Sequence, residues 1–100
     1  MSTEAEIDTA WKRRESLIEA SARAYHALET AENARYNEAV AKSYALLEAG
    51  KMAPEVFDEA CNIAWEMRQD VLRPAGSAHH ALTLSTMADY EKIRDAGLDK

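Results

Sequence analysis

The chain has 100 residues and a formal net charge of −6 at pH 7, with a pI near 5.0. That length sets an expectation of one domain, and the acidic balance argues against direct nucleic-acid contact, which needs a basic patch. The lone Cys61 excludes an internal disulfide, and the acidic opening Met1–Glu6 lacks the apolar core of a signal peptide. With no apolar run of transmembrane length, the expected place is a reducing cytoplasm, that of a bacterial host if the chain is phage-encoded.

Leu, Ile, Val and Phe together number 16, against 20 Ala. Trp11, Trp65, the Tyr and the Met residues add bulk, but so Leu-poor a domain is marginal and would gain from a dimer or a partner. The stretch 3–49 contains neither Gly nor Pro; these fall at Gly50, Pro54, Pro74, Gly76 and Gly97. The first half therefore reads as helix.

Thr3 with Glu6 fits a capping box. Ile7, Trp11, Arg14, Ile18, Ser21, Tyr25 and Leu28 then step alternately by four and three, which is one helical face. Continued, the stepping would bring Glu32 and Arg35 onto that face. It resumes one position later, at Tyr36, Val40, Ser43 and Leu47. This slip, with Thr30, Asn33 and Asn37 nearby, predicts a break within 30–37. The alternative is one unbroken helix that dimerises.

Gly50 ends the next helix as its C′ residue, and Pro54 opens another at N1. That helix is expected to reach about Leu72, stopped by Pro74, with 73–78 as a loop. Ser77 and Thr86 are candidate caps for the remaining helical stretch, up to Gly97. The predicted fold is all-α, a small bundle of four or five helices in a single domain, 1–100. Within it, 3–49 forms a helical hairpin and 54–96 packs on it. Trp11, Ile18, Phe57 and Ile63 are its expected core.

Little chemistry is encoded. His79 and His80, adjacent on a helix, diverge by about 100° and have no partners at zinc-ligand spacing, so they read as loop or surface residues. His26 reads as half-exposed and Cys61 as buried filler. Lys12-Arg13-Arg14 is ringed by acids and reads as a solvated face. Arg14, on the apolar stripe, either snorkels or meets an acid across an interface. No Gly-rich phosphate loop or catalytic constellation is present, so neither a cofactor, nor a metal, nor an enzyme is expected.

One feature stands out. Glu55, Glu59, Asn62, Glu66 and Asp70 recur at helical spacing opposite the Phe57–Val71 face, flanked by Asp58 and Gln69, and Arg68 is the only base among them. Glu55, Asp58, Glu59, Glu66 and Asp70 are candidate partner-binding residues for a basic surface. Tyr25 and Tyr36 are candidate anchors, because Tyr is favoured at interfaces.

In its acidic single-domain character, its Glu55–Asp70 face and its Ala-dense helices, the chain resembles phage anti-CRISPR proteins that block type I surveillance complexes. The resemblance implies a non-enzymatic inhibitor that binds a Cas subunit by occupying a basic surface, with no membrane or direct nucleic-acid contact. The alternatives are a helical self-assembling or adaptor protein, such as a phage packaging or head component, and a small helical regulator. A homodimer is compatible with each.

Overall fold

In the computed structural model, which describes residues 3–98, the chain forms two α-helices, α1 over Glu4–Glu48 and α2 over Pro54–Leu98. Among the described residues there is no strand. The contacts divide the molecule into two compact units. One contains the residues up to Tyr25 and those from Gly76 onward, and the other is His26–Ala75.

The helix ends obey the local signals. The Glu6 amide donates to Thr3 Oγ1 at 3.1 Å, and the Ile7 amide to the Thr3 carbonyl at 3.0 Å, so Thr3 caps α1. At its other end, Gly50 adopts φ 70°. Its amide donates to Leu47 O at 3.1 Å, and that of Lys51 to Leu46 O at 2.9 Å, a Schellman closure. The Phe57 amide donates to Ala53 O at 3.0 Å, which leaves Pro54 at the first helical position, where its missing N–H costs nothing.

The predicted break within 30–37 does not occur, so 3–49 is one helix and not a hairpin. The apolar slip is absorbed instead. The inward positions run Tyr25, Leu28, Glu32, Tyr36 and Ala39, so two successive steps of four replace a step of three. Such a stutter relaxes the supercoil locally without ending the helix. Glu32 lands on the inner face, with its side chain 5% exposed, and Arg35 Nη1 donates to its carboxylate at 2.7 Å. Thr and Asn in a helix interior cost only tenths of a kcal/mol relative to other polar residues, too little to stop α1 there.

Nor does Pro74 stop α2, which runs on through 73–78. Proline removes one backbone bond and crowds the carbonyl four residues back, here that of Asp70. Both residues are exposed, so that carbonyl can turn to water. Thr86 is no cap either. It is buried within α2, its hydroxyl donating to Leu82 O at 2.7 Å. The four- or five-helix bundle is therefore replaced by two long helices.

A pair of helices can bury only the stripe each turns to the other, and the core is correspondingly small. Leu72, 4% exposed, is the one apolar side chain that is buried among the described residues; Glu32 and Thr86 are buried with it. Trp11, Ile18 and Phe57 are half-buried, and Ile63 is 50% exposed, on the flank of α2 and outside the core expected for it. Aromatic edges fill much of each unit. Trp11 meets Tyr90 at 4.9 Å between ring centres in the first unit. Tyr36 meets Trp65 at 5.5 Å and Tyr44 meets Phe57 at 6.1 Å in the second.

Candidate functional site

The first eighteen residues of α2, within the His26–Ala75 unit, carry the acidic face. Glu55, Asp58, Glu59, Glu66 and Asp70 are all exposed. A helix places such residues on its outer side when Phe57, Cys61, Ala64 and Leu72 turn inward, since the two sets differ by about half a turn.

Ion pairs distinguish this face from parts of α1. On α1, four of the acids find a Lys or Arg one turn away: Asp8–Lys12 at 3.0 Å, Glu19–Arg23 at 2.9 Å, Glu32–Arg35 at 2.7 Å and Glu38–Lys42 at 3.0 Å. None of the five carboxylates on α2 joins an ion pair among the described residues. The sequence explains why. Four residues beyond Glu55, Asp58, Glu59, Glu66 and Asp70 stand Glu59, Asn62, Ile63, Asp70 and Pro74, none of them basic, and three residues beyond them only Arg73, after Asp70, is a base.

Arg68, the single base of the segment, is turned away from these acids. Its Nε donates to Asn33 Oδ1 at 2.6 Å and its Nη1 to Gln69 Oε1 at 2.8 Å. Its guanidinium carbon lies 4.8 Å from the Trp65 ring centre, a cation–π distance. The face thus holds carboxylates that join no ion pair among the described residues, with one exposed base of its own helix, Arg73, three residues beyond Asp70 at its end, and can offer acceptors to a cationic surface.

The two tyrosines do different work. Tyr36 is half-buried in the same unit, its edge on Trp65. Tyr25 belongs to the other unit, where it is half-buried beside Gly76; a Cβ there would stand 3.7 Å from the ring. Each is a packing residue in its own unit.

Several contacts were not legible in the sequence. His79, read as a loop or surface residue, is half-buried on α2, with Nδ1 2.7 Å from Ser21 Oγ. Ser21 lies on the Ile7–Leu28 stepping, but the expected loop at 73–78 kept His79 off any inward face. Among the described residues no carboxylate bonds to this pair, so it lacks the third group that orients a nucleophile's base. His80 is exposed and His26 lies 4.0 Å from Glu29. Cys61 is half-buried. Arg14 is half-buried, its guanidinium carbon 5.3 Å from the Trp11 ring centre, and its Nε is buried without a hydrogen-bond partner.

No group of three His, Cys, Asp or Glu side chains stands together as a metal cage among the described residues. No described helix is long and apolar enough to cross a membrane. Compared with protein-family models, curated proteins and solved structures, the chain matches none.

Proposed function

We propose that this chain is a non-enzymatic protein-binding inhibitor of a bacterial nucleic-acid-binding complex, acting as anti-CRISPR proteins do by covering a basic surface. The observation that carries this reading is the face formed by Glu55, Asp58, Glu59, Glu66 and Asp70, whose carboxylates join no ion pair among the described residues. Carboxylates spaced one turn apart at Glu55–Glu59 and Glu66–Asp70, roughly 5.4 Å per turn along the axis, with a two-turn gap at Asn62, offer a cationic groove a line of charge resembling that of a phosphate backbone. Charge of this kind speeds encounter and is screened over about 8 Å at physiological salt. The partner in this reading is a Cas subunit of a type I surveillance complex in the host cytoplasm.

The test is capture of a partner from a bacterial lysate by the wild-type chain and by Glu55→Lys with Glu66→Lys, at low and physiological salt. The expected result is a basic protein retained by the wild type, released by salt and lost by the variant. Equal retention by both chains would remove the face from the mechanism.

A second reading, a self-assembling helical protein, is favoured by a separate observation. Leu17, Tyr44, Leu46, Val56, Ile63, Trp65, Met67 and Leu84 are large, apolar and exposed, surface that a second copy could cover. Concentration-dependent growth in mass by light scattering is its signature.

A further inference from the structure

In the His26–Ala75 unit, several of these exposed side chains fall on one side. Val56, Ile63 and Met67 are seven and four residues apart, one stripe of α2. Met67 lines a shallow cleft with Arg35 and Ala39 of α1, which identifies the facing stripe of α1. Leu46 is seven residues beyond Ala39 and continues it. Leu46 is 43% exposed, Val56 and Ile63 each 50%, and Met67 59%.

The edges of this strip are charged, with opposite signs. Arg35 and Lys42, seven residues apart, flank it on α1. Glu59 and Asp70, four and seven residues from Ile63, flank it on α2. Tyr44 stands opposite Phe57, Tyr36 opposite Trp65 and Asn33 opposite Arg68. This register sets Lys42 level with Glu59, and Arg35 within about one turn of Asp70.

We propose that a second copy of the chain docks on this strip, forming a homodimer in which the two Gly50 turns lie at the same end. A two-fold axis parallel to the helices lays α1 of one copy over α2 of the other at the same level. It therefore brings each Lys42 to the Glu59 of the second copy, with the apolar strips closed between them. The opposite arrangement, with the turns at opposite ends, lays α1 on α1 and faces Arg35 and Lys42 with their own copies. Like charges set against each other disfavour that pairing. Lys42 is free to exchange partners, because its present bond to Glu38 joins two side chains that are 75% and 67% exposed, and such surface pairs are weak. The Glu55, Asp58 and Glu66 carboxylates stay outside the interface.

The inference deepens the self-association reading and rests on it. Sedimentation of the full chain across the micromolar range should give the mass of two 11.1 kDa chains. Ile63→Glu and Met67→Glu, each at an exposed position, should keep the helical circular dichroism and sediment as monomers. Lys42→Glu alone and Glu59→Lys alone should each weaken the dimer several-fold, and the two changes together should restore it. A monomeric wild type would overturn both the self-association reading and this dimer. A dimer indifferent to Ile63→Glu and Met67→Glu would overturn only the strip. Failure of the paired charge reversal to restore association would overturn the same-end geometry.

Discussion

Leu72 and Phe57 show how differently two inward residues of the same helix are held. Leu72 is buried, so Leu72→Ala should cost about 2–5 kcal/mol, within the range for apolar truncation in a core. Phe57 is half-buried and shares its contact with Tyr44. Phe57→Ala should therefore cost less than the roughly 3–5 kcal/mol of a fully buried ring. Urea denaturation of both variants gives the order, and a larger loss at Phe57 would contradict this burial. Glu32 is the opposite case, a polar residue inside. Its carboxylate leans on Arg35 alone, whose own side chain is 67% exposed, so the pair is a weak source of stability. Glu32→Leu is expected to be neutral or stabilising, whereas Arg35→Ala should cost about 1–3 kcal/mol by leaving the buried acceptor unpaired. The sequence contained this residue as an interruption of an apolar stripe. Nothing local distinguished an acid that breaks a helix from one that is carried inward with its own base.

For the helices, ends were legible and continuity was not. Thr3, Gly50 and Pro54 act through bonds within four residues, so their roles can be read from spacing alone. Pro74 and the slip near Glu32 are decided by the packing on either side, which spacing does not report. Leu72 lies buried two residues before Pro74, and Gly76 lies against Tyr25 two residues after it. Gly76, beside Pro74, and Gly50, in the turn between the helices, should respond with opposite signs. At Gly76 a Cβ would meet only the Tyr25 ring, at ordinary contact distance, so Gly76→Ala should stabilise by about 0.5–1 kcal/mol. Gly50 has open space around it but φ +70, a conformation that costs other L residues about 1–2 kcal/mol, so Gly50→Ala should destabilise. Thermal melts showing the same sign for both would contradict the turn geometry.

For the molecule as a whole, the candidate face was legible because charge periodicity survives folding: four acids on one stripe, with Asp58 beside them, remain together and exposed. Spacing also puts Arg68, two residues from both Glu66 and Asp70, on the inner side of α2; what the sequence did not disclose is that Asn33, Gln69 and Trp65 hold it there. The tyrosines were legible as aromatic residues but not as occupants of separate units. In the proposed function this face covers a cationic nucleic-acid site on a partner. Its most direct test is target-DNA binding by purified type I surveillance complexes, with wild-type protein or the Glu55→Lys, Glu66→Lys variant added. The predicted result is that the wild type abolishes the DNA mobility shift of a susceptible complex and that the variant, equally helical by circular dichroism, leaves it intact. DNA binding undiminished by the wild type across the type I complexes, or abolished equally by the variant, would contradict it.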